Sequence, residues 1–226
     1  MARICDAVRR HANVGFPLYP GGSHGQLRAT ATGGQVALSF LQVARSQLLT
    51  AIDLFFHDRD PVSVHTLAGA AQEILEALCR EQGIDPMHED VRASHPGKSP
   101  RELRAAFNLY RNALKHVGRD EVEQRGHLEA LGQFTDEAND FLLYVCVEDY
   151  LRINRRAPIP MQVLQVWFCA VHSDRLGPDW EPSRFIERFP GILSRDRTGQ
   201  KRMGMLAVRQ FLYDPDLQSD PRTEAL

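Results

Sequence analysis

Residues 111–116, RNALKH, are the one stretch of this sequence whose residue types and spacing indicate a chemical reaction. Arginine stays cationic and presents a planar fork that matches phosphate oxygens, and histidine can take up and return a proton near neutral pH. RNA carries its own nucleophile, the 2′-hydroxyl, so an imidazole beside a guanidinium could promote its attack on the neighbouring phosphate without a metal ion. We therefore expect Arg111 to hold the scissile phosphate, His116 to act as general acid/base and Asn112 to orient the reacting groups.

Three further residues are candidates for substrate binding. Lys115 lies within the same stretch, and Arg104 precedes it on the same predicted helix. His65 lies beside the apolar stripe of an earlier predicted helix, where a partly buried histidine is expected, but it could line the same cleft as His116.

The element that must position this chemistry is a helix predicted over residues 99–118. Ser99 is a suitable N-cap, Pro100 suits the first helical position, and Glu102 completes a capping box. An apolar seam follows at steps of four and three residues: Leu103, Phe107, Tyr110, Leu114 and Val117. Gly118 is expected to end the helix because glycine readily adopts the left-handed terminal conformation.

One ideal helix does not direct Arg111 and His116 at the same phosphate. At about 100° per residue the two side chains point about 140° apart, whereas Asn112 and His116 are only about 40° apart. Either the long arginine side chain swings toward the histidine, or a second copy of the helix supplies the missing group. The second arrangement predicts a two-fold homodimer with a composite cleft.

The rest of the chain also has helical periodicity, and no segment of strand periodicity is long enough to suggest a sheet. The first helix is expected from Gln35 to about His57, and the second, capped by Asp60, from Pro61 to about Gln82. Residues 84–98 are predicted to be a connection with room for one turn after Pro86, and residues 119–132 to be mostly loop. A fourth helix is predicted from Thr135 to about Asn154.

Shorter helices are predicted at 160–173, 182–189 and 198–213, followed by a tail. We therefore predict an all-α fold, an antiparallel helical bundle with a helical C-terminal extension. The expected organisation is a disordered tail over 1–34, the bundle over 35–156 and the extension over 157–226. A disordered tail is the expectation for 1–34 because that stretch is rich in glycine and proline and has little periodicity.

Composition restricts the class of protein. Among the 226 residues 43% are hydrophobic and 25% charged, with a formal net charge of −2, so no overall positive field attracts nucleic acid or membrane. Four widely spaced cysteines are expected to be reduced, buried thiols in a cytoplasmic protein. We expect no membrane span, no cofactor and no metal site, because the sequence has no phosphate-binding glycine loop or zinc signature. The loose cluster His88, Glu89, Asp90 and His95 lacks metal spacing and is expected to be a solvated loop.

The arrangement of Arg111, Asn112 and His116 resembles the R-x4-6-H signature of the HEPN superfamily, the nucleotide-binding domains of higher eukaryotes and prokaryotes. RNALKH has the typical form, with asparagine directly after arginine. The upstream segment AIDLFFHDRDPVSVHTLAGAAQEILEAL is also similar to uncharacterised bacterial HEPN-like proteins, and the resemblance covers about residues 38–155.

The resemblance implies a compact helical bundle, a homodimer and, as in active members, metal-independent cleavage of RNA. Members of this kind serve as toxins or in defence, which implies an antitoxin-like protein partner. Other members have lost catalysis and act as binding or dimerisation modules. The alternative for this chain is therefore a catalytically inactive helical module that binds a protein or a nucleotide.

Overall fold

The structure, a computed structural model, describes residues 38–93, 95, 97–175 and 181–226, and within these ranges the fold is all-α as predicted. The ten α-helices of the described residues are α1 Phe40–Phe56, α2 Pro61–Glu81, α3 Met87–Ala93, α4 Pro100–Lys115, α5 Glu121–Gly132, α6 Ala138–Asn154, α7 Ile159–Val171, α8 Pro182–Ile186, α9 Arg197–Phe211 and α10 Pro215–Ser219. The predicted disordered tail, residues 1–34, lies outside the described residues.

The starts of the first long helices follow from local side-chain chemistry. The Ser39 side chain caps α1 in a capping box with Gln42, so that α1 begins five residues later than Gln35. The Asp60 carboxylate accepts the backbone N–H groups of Val62 and Ser63 at the start of α2, as predicted.

The expectation of a loop over residues 119–132 is wrong, because α5 occupies Glu121–Gly132. The Asp120 carboxylate accepts the N–H of Glu123 at 2.9 Å and so caps the helix. Gly126 and Gly132 lie within α5, and a glycine costs a helix only about 1 kcal/mol relative to alanine, which does not prevent it. Similarly, the connection before α4 contains the seven-residue helix α3 instead of a single turn.

The apolar core lies where α1, α2, α6 and α7 pack against one another. Leu48 and Phe55 of α1, Leu143 of α6 and Trp167 of α7 are all fully buried there. The core continues into α9, where Gly204 lies so close to Phe56 that an added Cβ would be 2.1 Å from its ring. Residues on both sides of position 157 therefore share one core; the antiparallel order of the helices stays a prediction.

The last residues of the chain do not form the predicted tail. Helix α10 covers Pro215–Ser219, and Thr223 forms a short backbone bridge with Ala157. Glu224 accepts a hydrogen bond from the Tyr150 hydroxyl at 2.6 Å and forms an ion pair with Arg45 at 3.2 Å. Glu224 therefore fastens the C-terminal segment to α1 and α6.

Two further expectations can be compared with the described residues. Cys79, Cys146 and Cys169 are buried and form no disulfide among the described residues, as predicted, whereas Cys5 lies outside these residues. Burial raises the pKa of Cys79 to about 12. No helix in the described part of the chain combines the length and the apolar character that crossing a bilayer requires.

Candidate functional site

Helix α4 carries the candidate residues and is fixed at both ends. The Ser99–Glu102 capping box is present, as predicted. The helix ends at Lys115, and His116 has extended backbone angles, φ −134° and ψ 138°. Gly118, at φ +107°, turns the chain into α5, and a Cβ at this position would lie 2.5 Å from the backbone nitrogen of Gln124. The helix thus ends three residues before Gly118, the expected end, and His116 follows it.

The predicted apolar seam packs α4 only along part of its length. Leu103 is buried, Phe107, Tyr110 and Leu114 are partly buried, and Val117 is exposed. Near the C-terminal end of α4, three rings from separate segments meet edge to face: Tyr110, His65 and Phe134, with centroids 5.2 to 5.9 Å apart. This ring cluster connects α4 and the end of α5 to α2.

His116 opens onto a groove between α4 and α5, which we call the α4–α5 groove, with a volume of about 230 Å³. The groove is lined by Ala113, Leu114, Lys115, His116, Val117, Gln124, His127, Leu128 and Leu131. The side chains of His116 and Asn112 are both exposed. The His116 N–H donates to the Asn112 carbonyl at 2.9 Å, which fixes the backbone between them.

His127, on α5, is a groove residue that the sequence analysis did not identify. Its Nδ1 lies 2.8 Å from the backbone oxygen of His116. Because a carbonyl oxygen only accepts, Nδ1 must carry the proton, which leaves Nε2 of the neutral ring as the basic atom. The pattern Asp120-x-x-Glu123 is a helix-start signal that could have revealed α5, and with it this second imidazole.

Arg111 lies on a different face of α4, against α2. Its aliphatic stem passes Gly69 so closely that a Cβ there would be 3.2 Å from the Arg111 Cγ. Its Nη1 is 3.3 Å from Oε1 of Glu73, and the other carboxylate oxygen, Oε2, lies 3.1 Å from the Lys115 ammonium. One carboxylate therefore contacts both candidate cations.

Arg111 lines a second cavity, which we call the arginine cleft, between α2, α3 and α4, with a volume of about 480 Å³. The arginine cleft is lined by Gln72, Glu73, Glu76, Arg80, His88, Glu89, Arg92, Leu103, Arg104, Phe107, Asn108 and Arg111. Among the six predicted site residues, Arg104 and Arg111 share this cleft, whereas Lys115 and His116 share the α4–α5 groove. Within one copy of the chain, Arg111 and His116 thus line different cavities.

His65 lines neither cavity. Its side chain is only 4% exposed, and its Nδ1 is 2.9 Å from the Asn139 side-chain oxygen. Burial lowers the pKa of His65, the hydrogen bond with Asn139 opposes this shift, and the positive charge of Arg111 adds to it. The expectation that His65 lines a cleft with His116 does not agree with this placement.

The cluster around His88 is not the solvated loop that was expected. His88, Glu89 and Asp90 lie on α3, and His88 lines the arginine cleft with Nε2 3.3 Å from Glu89. Burial lowers the pKa of His88 although Glu76 and Glu89 act in the opposite direction. Over the described residues, no three or more histidine, cysteine or acidic side chains are arranged to hold a metal ion.

No protein-family model, curated protein or solved structure matches this chain. The resemblance to the HEPN superfamily therefore stays a prediction based on the residues that carry it.

Proposed function

We propose that this chain is a HEPN-like endoribonuclease that cleaves RNA without a metal ion in the α4–α5 groove. His116 removes the proton from a 2′-hydroxyl, the resulting oxygen attacks the adjacent phosphorus, and the bond to the 5′-oxygen breaks. A second imidazole gives the leaving 5′-oxygen its proton. The products are a cyclic 2′,3′-phosphate and a 5′-hydroxyl.

The observation that carries the proposal is the pair of imidazoles in one groove. His116 is exposed at the end of α4, and His127 contacts its backbone oxygen from α5. General acid/base cleavage needs one group to accept a proton and another to donate one, and each step of this kind contributes about 10²–10⁴-fold to a rate. Two histidines that line the same groove meet this requirement.

The phosphate charge needs a cation, and here a second copy of the chain completes the proposal. Arg111 faces the arginine cleft of its own copy, so its guanidinium must reach the groove of a partner in a two-fold homodimer. Exposed apolar side chains around the groove support burial of this surface in a dimer, since Val117, Val122 and Leu128 are all more than half exposed. A toxin-like member would be inhibited by a protein partner that covers the same groove.

The test is RNA cleavage in excess chelator by wild type, His116→Ala and His127→Ala. We expect each substitution to lower the rate by at least about 100-fold. His57→Ala is the matched control, because His57 is also a solvent-accessible histidine just beyond a helix but lines neither cavity. Cleavage by His116→Ala at the wild-type rate, or products with a 3′-hydroxyl, would contradict the proposal.

The alternative, an inactive module that binds a protein or a nucleotide, is favoured by one observation. Glu73 contacts both Arg111 and Lys115, so its negative charge offsets part of the positive charge that these two residues would offer to a phosphate. Under the alternative, wild type and His116→Ala both fail to cleave RNA in chelator, while the groove still binds its partner.

A further inference from the structure

The arginine cleft contains a buried amide without a protein partner. Gln72 is 3% exposed and lines the cleft, and its Oε1 is buried without a hydrogen bond from any described residue. A buried polar group without a partner destabilises the folded chain, so its presence in the wall of a cavity indicates a ligand that supplies the missing bond. An amide offers both a donor and an acceptor, which is the pattern that glutamine uses to bind the N6 and N7 edge of adenine.

The charges of the cleft favour an anion. Four arginines and three glutamates line it, and burial lowers the pKa of His88, which disfavours a further positive charge there. Three of the arginines contact carboxylates: Arg80 with Glu76, Arg92 with Glu89 and Arg111 with Glu73. Arg104 is exposed and has no ion pair with any of the described residues, which leaves its guanidinium available for a phosphate.

Two further features fit a nucleotide. Phe107, partly buried, also lines the cleft and offers an aromatic ring on which a base can stack. The buried Nε of Arg111 is a second polar atom without a partner among the described residues. The volume of about 480 Å³ lies within the usual range for a small-molecule site.

We propose that the arginine cleft binds an adenosine 5′-monophosphate unit, free or as one residue of an RNA strand. Gln72 recognises the adenine edge, Phe107 stacks on the base, and Arg104 binds the phosphate. The proposal assigns Gln72, Phe107 and Arg104, none of which lines the α4–α5 groove, and its tests measure binding without cleavage, so its failure can be distinguished from a failure of the nuclease proposal.

The first experiment is calorimetric titration of the full chain with AMP, adenosine, ribose 5-phosphate and inorganic phosphate. We expect AMP to bind at least 10-fold more tightly than each of the other three, because only AMP engages both the amide and the guanidinium. A short oligouridylate with or without one central adenosine tests the RNA form of the ligand. The proposal is overturned if AMP binds no more tightly than adenosine, ribose 5-phosphate and inorganic phosphate, and the adenosine-containing strand binds no more tightly than the plain oligouridylate.

Substitutions separate the two contacts. Arg104→Ala should weaken AMP binding at least 10-fold and leave adenosine binding unchanged. Arg101→Ala is the matched control, since Arg101 is an exposed arginine on the same helix that does not line the cleft. Equal losses from the two substitutions would show that general surface charge is responsible and would overturn the phosphate assignment.

Gln72→Met distinguishes recognition from a structural role. The side-chain amide has no hydrogen bond to the described residues, so the free variant should unfold at the same or a higher temperature than wild type. The same variant should bind AMP at least 10-fold more weakly and ribose 5-phosphate as before. A less stable variant that binds AMP normally would contradict the proposal.

Discussion

Polar and charged side chains are buried in helix α6, whereas in the pair of helices α4 and α5 they are mostly exposed. Every residue from Leu142 to Tyr150 in α6 is buried, including Glu148 and Asp149, whereas α5 buries only Ala130. In α6 the buried carboxyl groups have partners far away in the sequence: Asp140 accepts from Arg197 at 2.9 Å, and Asp149 accepts the Met87 N–H at 2.6 Å.

In the α4–α5 pair the polar groups remain available. The side chains of Asn112 and His116 are exposed and make no hydrogen bond within the described part of the chain. The comparison indicates that the interior around α6 holds the fold together, while the polar side chains at the α4–α5 groove stay open to solvent. Substitutions in the first region should therefore cause the largest losses of stability, whereas substitutions of the groove side chains should change activity.

The largest expected effect is on the charge cluster formed by Arg197 of α9 with Asp136 and with Asp140 of α6. Arg197→Ala leaves the Asp140 carboxylate, whose side chain is 2% exposed, without its main partner, and should cost about 3–5 kcal/mol of unfolding free energy. Urea denaturation measures this loss. Arg202→Ala, at an exposed position of α9, the helix that also carries Arg197, should change stability by less than about 0.5 kcal/mol. A loss below about 1 kcal/mol for Arg197→Ala would show that the cluster does not stabilise the fold.

The second effect is on the pH dependence of stability. Burial raises the pKa of Asp149 to about 7 from 3.8, so the folded chain binds this proton more tightly than the unfolded chain does. Stability from this group is therefore present at low pH and is lost as the pH rises toward 7. Between pH 5 and pH 8 wild type should lose about 2–3 kcal/mol relative to Asp149→Asn.

Denaturation of both proteins at several pH values measures this difference. Glu129→Gln, an exposed substitution on α5, should keep the pH dependence of wild type. If Asp149→Asn also follows the wild-type curve, the carboxyl is not protonated inside the fold and this part of the comparison is wrong.

The third effect concerns the turn between α4 and α5. Gly118→Ala forces a side chain into a left-handed conformation and against the Gln124 backbone, so it should cost about 1–3 kcal/mol and also lower RNA cleavage. Gly126→Ala, inside α5 with no atom near the new Cβ, should stabilise the protein by about 0.5–1 kcal/mol. The reverse order of the two melting temperatures would contradict the described turn.

The smallest effect is at the start of α4. Ser99→Ala removes the hydroxyl that accepts the Glu102 N–H and should cost about 1 kcal/mol. Thermal melting detects this loss, which should leave cleavage by His116 unchanged because the cap lies at the other end of the helix. A large loss of cleavage without a loss of stability would show that the N-terminus of α4 takes part in the reaction.

The sequence predicted those features that depend on neighbouring residues. The caps at Asp60 and Ser99 and the extent of α2 follow from side chains within a few positions of each other, and they are confirmed. The buried pairs of α6 were not predictable in this way. Asp140 and Arg197 are 57 positions apart, and nothing in the local pattern of α6 indicates which cation would satisfy a buried carboxylate.

The candidate site was predicted in part for the same reason. The position of His116 near the end of α4 follows from the sequence, but its extended backbone depends on how Gly118 packs against α5. The contact of Arg111 with Glu73 joins two helices and removes the guanidinium from the groove of its own copy. Because α5 was predicted as a loop, His127 could not be assigned to any surface.

Mixing two inactive variants tests most directly whether Arg111 and His116 meet only across a dimer axis. Arg111→Ala and His116→Ala should each be inactive in chelator, and an equal mixture should recover about a quarter of the wild-type rate. The reason is that half of randomly formed dimers are mixed and each has one intact site. An Arg111→Ala protein that cleaves RNA like wild type, or a mixture of exchanging dimers that stays inactive, would contradict the shared site.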